Sequence, residues 1–259
     1  MITALRSAAT GMHAQQTNVD VISNNLANVN TTGFKASRVA FNDLVYQNNA
    51  VAGAESSSSG TTLPTGSQVG LGVRVNSVYK IHTQGDMLKT SSPFDLAVQG
   101  EGFFKISMPS GETSYTRDGS FQIDPNGNFV NSLGYQLDPA IAVPQGSTNL
   151  TVSSTGVVNA KVNGASVNLG QITISTFSNP AGLESLGDNL FAETDASGPA
   201  TDGNPADSGY GSLLQGFLET SNVDSITAVT DLITAQRAYE LNSKVITTAD
   251  QMMERVSQI

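Results

Sequence analysis

Apolar residues recur with heptad spacing at the N-terminal end of the chain. The two seam positions of this repeat are occupied by Leu5, Met12, Val19 and Leu26 and by Ala8, Gln15, Ile22 and Val29. Only Gln15 is polar and no proline interrupts the run, so the pattern predicts a long amphipathic helix with a seam of the coiled-coil type. Gly33 is expected to end this helix, because glycine readily adopts the left-handed conformation that follows a last helical turn.

The C-terminal end repeats this pattern. Its seam positions are Leu232, Ala235, Tyr239, Asn242, Ile246, Ala249, Met253 and Val256. A second apolar stripe on the same predicted helix consists of Leu241, Val245, Met252 and Ile259. Ser221, followed three residues later by Asp224, is expected to cap the start of this helix. A seam plus a second stripe exceeds what one antiparallel partner covers, which favours packing against neighbouring copies over the alternative, a helix hairpin packed on the rest of its own chain.

The middle of the chain follows a period of two instead. Short alternating runs, for example at 102–107, 157–169 and 171–177, predict β-strands. Three dipeptides between such runs predict hairpin turns: Asp118-Gly119, Asn126-Gly127 and Asn163-Gly164. Residues 47–68 are rich in Ser, Gly and Thr, a composition typical of an extended or flexible segment.

These patterns divide the chain into four parts. We expect an N-terminal helix over 1–33, an extended Ser/Gly-rich connection over 34–68, a central β domain over 69–217 and a C-terminal helix within 218–259. The predicted fold class is mixed α and β, with the two long helices forming a coiled-coil-like domain beside an irregular all-β central domain.

Charge adds one constraint. The chain has 12 basic and 22 acidic residues and a formal net charge of -10. Nine acidic residues and no Lys or Arg lie between Lys161 and Arg237. Such a surface repels nucleic acid and anionic lipid, so we expect neither a nucleic-acid partner nor membrane insertion, although acidity of this kind also simply favours solubility.

Candidate chemistry is sparse. The chain has no cysteine and two histidines, which excludes disulfides, cysteine nucleophiles and a three-His metal site within one chain. Residues 124–128 have letters of a calcium loop but the spacing of a β-turn. The loop from Asp202 to Asp207 could ligate calcium weakly, but its pattern is that of a solvated acidic loop. We therefore expect no catalytic residue, no metal and no cofactor.

Five segments are distinctive. They are SNNLANVNTTGFK (23–35), DLAVQGEGFFKI (95–106), SYTRDGSFQIDPNGNFV (114–130), QGFLETSNVD (215–224) and QRAYELNSK (236–244). Together they resemble the axial proteins of the bacterial flagellum, the rod and hook family, and the resemblance covers nearly the whole chain. Within that family, the chain length, the Ser-rich segment after Tyr46 and the run at 62–73 favour a distal-rod subunit over the longer hook subunits.

The resemblance implies a structural function. A distal-rod subunit assembles helically with copies of itself into a hollow shaft that crosses the periplasm and transmits motor torque to the hook. Its implied partners are other rod proteins below, hook or junction proteins above, and the ring bushing proteins around it. The implied location is the flagellar basal body, reached through the flagellar type III export apparatus. No apolar stretch suited to a cleaved signal follows Met1, which agrees with that route.

The subunit interface is expected to use the seams and the polar junction after the first helix. Its predicted residues are Leu5, Met12, Val19, Ile22, Asn24, Asn25, Leu26, Asn28, Val29, Gly33, Phe34, Leu232, Tyr239, Leu241, Asn242, Val245, Ile246, Met253 and Val256. Two alternatives remain at this point. One is a proximal-rod or hook-type subunit of the same family. The other is a secreted β domain that binds or hydrolyses cell-wall glycan with carboxylates from 184–224.

Overall fold

The chain forms two compact units. The computed structural model describes residues 2–53, 64–162 and 164–257. The first unit, here called the helical unit, contains 1–26, 37–79 and 225–259, and the second, the β unit, contains 27–36 and 80–224. Two helices near the chain ends and a β-rich centre confirm the mixed α and β class.

The first helix is shorter than its sequence pattern predicts. Helix α1 is Ile2–Ala27 and ends six residues before Gly33, so the expectation that Gly33 ends it is wrong. The Asn25 side chain instead binds the Ser37 backbone in both directions, donating to its carbonyl and accepting from its N–H, each at 2.8 Å. These bonds bring Ser37 back against the last turn of the helix. Gly33 does have a left-handed φ of 67°. Glycine is needed at this position for a different reason, because a Cβ there would lie 2.6 Å from the Asp118 amide nitrogen.

The second helix starts later than expected. Helix α2 is Ser225–Ser257, so Ser221 is not its N-cap. The Ser221 hydroxyl accepts the Val223 N–H at 3.3 Å instead. The Asn222 side chain accepts the Ala36 N–H at 2.7 Å and donates to the Ile81 carbonyl at 2.9 Å. Because these bonds hold Asn222 against neighbouring backbone, the chain turns helical only after it.

The helical unit also contains four strands. They are β1 Ser37–Asp43, β2 Tyr46–Ala50, β3 Ser67–Gly70 and β4 Val73–Lys80. Strand β1 pairs with β4, and β2 pairs antiparallel with β3, with Tyr46 opposite Gly70. The connection expected to be extended over 34–68 is therefore partly a hairpin, and its residues 54–63 lie outside the described part of the chain. Residues 69–79 group with the helices rather than with the central β domain.

The β unit is built from short strands. They are β5 Met87–Lys89, β6 Leu96–Gln99, β7 Phe103–Ser107, β8 Thr113–Thr116, β9 Gln122–Ile123, β10 Phe129–Val130, β11 Gln136–Asp138, β12 Thr148–Val152, β13 Val157–Val162, β14 Ala165–Gln171, β15 Ile174–Thr176, β16 Glu184–Gly187, β17 Leu190–Ala192, β18 Thr201–Gly203, β19 Ser212–Gln215 and β20 Phe217–Glu219. The largest sheet has the order β16-β17-β8-β7-β11-β10-β9, and β15 joins β7 to β18. Smaller sheets are β12-β13-β14, β19-β6 and β20-β5.

Strand β7 divides the core of the β unit in two. Neighbouring residues of a strand point to opposite faces. Phe104 accordingly lies in the main core, edge-on to Phe121 at 5.2 Å between ring centroids. Phe103 lies in a second cluster, where Phe177 and Phe191 contact it at 5.7 and 6.0 Å between centroids. The few aromatic residues of this chain are thus concentrated here.

The predicted hairpin turns have different outcomes. The turn at Asn126-Gly127 is confirmed, since β9 and β10 pair around it. The turn at Asp118-Gly119 is wrong, because β8 and β9 are not neighbours in the sheet. Gly119 instead allows close approach of two backbones, as a Cβ there would overlap the Leu96 carbonyl oxygen. Strands β13 and β14 pair on either side of the third turn, whose Asn163 lies outside the described residues.

Candidate assembly surface

Helix α2 buries small side chains and leaves large apolar ones exposed. On the seam, Ala235 and Ala249 are buried in a single copy, as is Ala228 one heptad before Ala235, whereas Tyr239, Met253 and Val256 are exposed. The described members of the second stripe are exposed, Leu241 by 65%, Val245 by 46% and Met252 by 47%, and its fourth member, Ile259, lies outside the described residues. An exposed row of large apolar side chains on one helix is typical of a surface that another protein covers.

Helix α1 exposes less apolar surface than α2 does. Its buried apolar side chains are small or seam-directed: Ala8, Ala14 and Ile22. Gly11 faces Asn242 of α2 so closely that a Cβ would stand 3.1 Å from the Asn242 Nδ2. A residue without a side chain therefore permits the two helices to approach each other at this point.

The predicted interface residues differ in burial. Those buried within one copy are Ile22, Asn25, Gly33 and Phe34. Those half-buried are Leu5, Met12, Val19, Leu26, Asn28, Val29, Leu232, Asn242 and Ile246. Those exposed are Asn24, Tyr239, Leu241, Val245, Met253 and Val256. The structure brings Gly11 and Asn242 together across the helix pair, whereas Gly33 and Phe34 belong to the β unit.

A buried ionic cluster, here called the clasp, joins the first and last segments of the β unit. Lys35 and Glu219 are both fully buried, with 2.5 Å between Nζ and Oε1. The same Glu219 oxygen accepts the Gly85 N–H at 2.9 Å, and the other accepts from Arg117 Nη1 at 3.3 Å. Lys35 also donates to the Thr83 carbonyl at 2.8 Å. Because buried charges need partners, this set ties the segment before β1 to the end of strand β20.

Burial sets the proton affinity of the clasp. It lowers the pKa of Lys35, an effect that Glu219 opposes, and it likewise lowers the pKa of Arg117. Burial, reinforced by the nearby charges of Lys35, Arg117 and Lys80, lowers the pKa of His82 to about 4. At neutral pH His82 is therefore an uncharged ring, packed edge-on against Phe103 and Phe191 at 5.5 and 5.4 Å between centroids.

Sequence reasoning missed the clasp. Lys35, Arg117, Glu219 and Asn222 all lie in the distinctive segments quoted above, yet their pattern carries no sign of burial. Lys35 and Glu219 are 184 residues apart. The available hint of burial was that each charged residue follows small or apolar neighbours: Lys35 in the run GFK (33–35) and Glu219 in the run FLE (217–219).

Three of the acidic residues between 184 and 224 lie in separate structural contacts. Asp202 binds Lys105 and Ser175, Glu193 lies at 3.5 Å from the Tyr115 hydroxyl, and Glu219 is sealed in the clasp. In the described part of the chain no cluster of His, Asp or Glu is suited to hold a metal ion. Neither described helix has the length and hydropathy needed to span a bilayer.

Comparison with known proteins matches both ends and the middle. The model of the flagella basal body rod protein matches residues 5–35, that of the flagellar hook protein FlgE/F/G D1 domain matches 97–160, and that of the flagellar basal body rod FlgEFG protein C-terminal region matches 214–259. The clasp residues Lys35, Arg117 and Glu219 fall one in each of these three ranges.

Full-length relatives agree with these matches. The flagellar basal-body rod protein FlgG of Caulobacter vibrioides is 54% identical over 258 residues, 99% of this chain and 98% of that protein. The FlgG of Agrobacterium fabrum is 48% identical over 98% of each chain, and that of Bacillus subtilis is 40% identical over 99% of this chain and 98% of its own. These likenesses confirm the resemblance read from the sequence and set aside a glycan hydrolase. The chain therefore belongs to the flagellar basal-body rod protein family, whose members are structural components of the flagellum and not enzymes.

Proposed function

We propose that this protein is the subunit of the distal rod and that copies of it assemble helically into a hollow drive shaft. The observation that carries the proposal is the exposed apolar stripe of α2, which a single copy leaves in water. Burying such side chains contributes about 1.5–3 kcal/mol each. A contact between two different faces of identical subunits produces a helical filament when its repetition does not close into a ring.

The helix seams form the inner part of this shaft in a coiled-coil-like arrangement. Leu241, Val245, Met253 and Val256 would make direct contacts between copies, since they are exposed in one copy. The buried members of the predicted set, such as Ile22 and Asn25, would position the helices within one copy without contacting a neighbouring copy. The β unit would form the outer wall of the tube.

The proposal also gives the subunit a place in the cell. The shaft crosses the periplasm and transmits torque to the hook, with other rod proteins below, hook or junction proteins above and ring bushing proteins around it. Export through the flagellar type III apparatus needs no cleaved signal. The full-length match to proteins named FlgG supports this assignment over a proximal-rod or hook-type subunit.

The test is a charge placed on the exposed stripe. We expect Leu241→Asp to abolish assembly, because an unpaired buried charge costs several kcal/mol in every subunit of the polymer. In the dilute chain the same change should alter the free energy of unfolding by no more than about 0.5 kcal/mol, since Leu241 is exposed there. Sedimentation and electron microscopy measure assembly, and circular dichroism measures the fold.

Gln251→Asp is the matched control. Gln251 is exposed on the same helix but lies off both apolar stripes, so this variant should assemble like the parent chain. Ile246 is less suitable as a probe because it is half-buried in one copy. Normal tubes from Leu241→Asp would rule out the stripe as the polymer contact.

A further inference from the structure

The beginning of α1 and the second half of α2 carry opposite charges on corresponding flanks. In heptads that place Leu5 and Leu232 at position a, Arg6 and His13 occupy position b of α1. Glu240 and Glu254 occupy position b of α2. All four of these charged or titratable side chains are exposed. Positions b and e lie together on one side of the seam. On this side α1 carries Arg6 in its first turns and Asp20 further along, whereas the second half of α2 carries Glu240, Asp250 and Glu254.

The flank of α1 that carries Arg6 and His13 borders a groove. A cavity of about 480 Å³ lies between α1 and β4, lined by Ala9, Thr10, His13 and Ala14 of the helix and by Val73, Arg74 and Val75 of the strand. Its walls are small or apolar and Arg74 is exposed at its rim. The groove is therefore suited to a helix flank that combines small side chains with negative charge.

The acidic flank of α2 has this composition. Between Glu240 and Glu254, its b and e positions are Ser243, Thr247 and Asp250. Ser243 and Thr247 are short enough to let a helix approach the groove closely, and Asp250 adds a third exposed carboxylate. Further toward the start of α2 the same flank changes to Ile226 and Ile233, so the acidic character is confined to the second half of the helix.

The two flanks lie at the same level of the helix pair. Gly11 lies 16 residues before the end of α1, and its neighbour Asn242 lies 17 residues after the start of α2, as expected of antiparallel helices in register. Arg6, five residues before Gly11, is thus level with about residue 247 of α2, midway between Glu240 and Glu254. Asp20, the one acidic residue of α1, is level with Ile233 and outside the acidic half.

We propose that the α1–β4 groove of one copy receives the acidic flank of α2 from a second copy, with Arg6 and Arg74 facing Glu240, Asp250 and Glu254. This inference rests on the proposed self-assembly. No ion pair uses these five side chains within the described part of one chain, so their charges are available to a neighbour. The groove and the acidic flank are different surfaces, so each copy carries both halves of the contact. A copy can therefore bind one neighbour through its groove and a second neighbour through its acidic flank.

Charge reversal on each side tests this pairing. One variant carries Arg6→Glu with Arg74→Glu, the second carries Glu240→Lys with Glu254→Lys, and a third combines all four changes. We expect each double variant alone to lose pelletable polymer, because like charges then meet at the contact. We expect a 1:1 mixture of the two double variants to assemble, and the fourfold variant as well, because opposite charges meet again. Added salt should slow growth of the parent chain.

A matched control reverses two exposed lysines of the β unit, Lys89→Glu with Lys161→Glu, and should assemble like the parent. Sedimentation and electron microscopy are the readouts, and circular dichroism confirms that every variant is folded. If both double variants assemble normally, or if neither the mixture nor the fourfold variant recovers, the pairing is overturned while self-assembly stands. If the parent chain itself forms no polymer under any condition tested, the proposed function fails first.

Discussion

The two units of this molecule differ in how much of their apolar surface is exposed. Of the large apolar side chains exposed in the described part of the chain, sixteen lie in the helical unit and four in the β unit. The β unit encloses two aromatic-rich clusters and seals even a lysine and a glutamate inside. The helical unit buries mainly alanines along its helices.

This contrast indicates where each unit obtains its stability. Apolar surface removed from water is the main favourable contribution to folding. The β unit contains that contribution within one copy. The helical unit leaves large apolar side chains exposed, and under the proposed function these would be buried in contacts that form on assembly.

The largest expected effect is a decrease in the free energy of unfolding of the β unit. We expect Glu219→Gln to lower its free energy of unfolding by about 3–5 kcal/mol, because Lys35 and Arg117 then stay buried without a counter-charge. Near-UV circular dichroism of the tyrosines, followed through urea unfolding, reports on this unit because Tyr115 lies in its second core cluster. The clasp would be unimportant if the unfolding midpoint did not move.

The matched control concerns an exposed ion pair in the same unit. Lys105 lies 3.0 Å from Asp138 and 3.1 Å from Asp202, and both carboxylates are more than 40% exposed. Lys105→Met should therefore change the free energy of unfolding by only about 0–1 kcal/mol. Equal effects from the two substitutions would mean that burial does not strengthen the clasp.

A smaller effect should appear on acidification. The pKa of His82 is about 4 in the folded β unit and about 6.5 in an unfolded chain, so between these values the unfolded state binds more protons. Stability is therefore fully present above about pH 6.5 and falls as the pH drops toward 4. The loss from this one residue is on the order of 3 kcal/mol at most.

The comparison with His82→Phe isolates that loss from the titration of the carboxylates. Phenylalanine keeps a ring beside Phe103 and Phe191 but cannot be protonated. Urea unfolding of both proteins at pH 7 and pH 4 should show the parent losing more stability than the variant. Parallel losses would show that His82 contributes nothing to the pH dependence.

The sequence was informative wherever structure depends on local pattern. Heptads located both helices, alternation located the strands, and Asn126-Gly127 located a hairpin. It failed where a long-range contact overrides local preference. Gly33 adopts the predicted left-handed conformation, yet it does so to pass the Asp118 backbone and not to end a helix.

The candidate site shows the same division. The second stripe of α2 is visible in the sequence, and Leu241 and Val245 are exposed as an assembly surface requires. The clasp was invisible because Lys35 and Glu219 are 184 residues apart and meet only in the folded β unit. A domain boundary drawn at 69–217 excludes both residues and would leave Arg117 buried without its carboxylate.

The most direct test of this account is amide hydrogen exchange on the full chain, measured in dilute solution and again in the assembled polymer. We predict that 225–257 exchanges rapidly in the dilute chain and becomes strongly protected on assembly, while β7 and β8 are protected equally in both states. Protection of α2 that is already complete in dilute solution, or that does not rise on assembly, would contradict the claim that the helical unit obtains its stability from neighbouring copies.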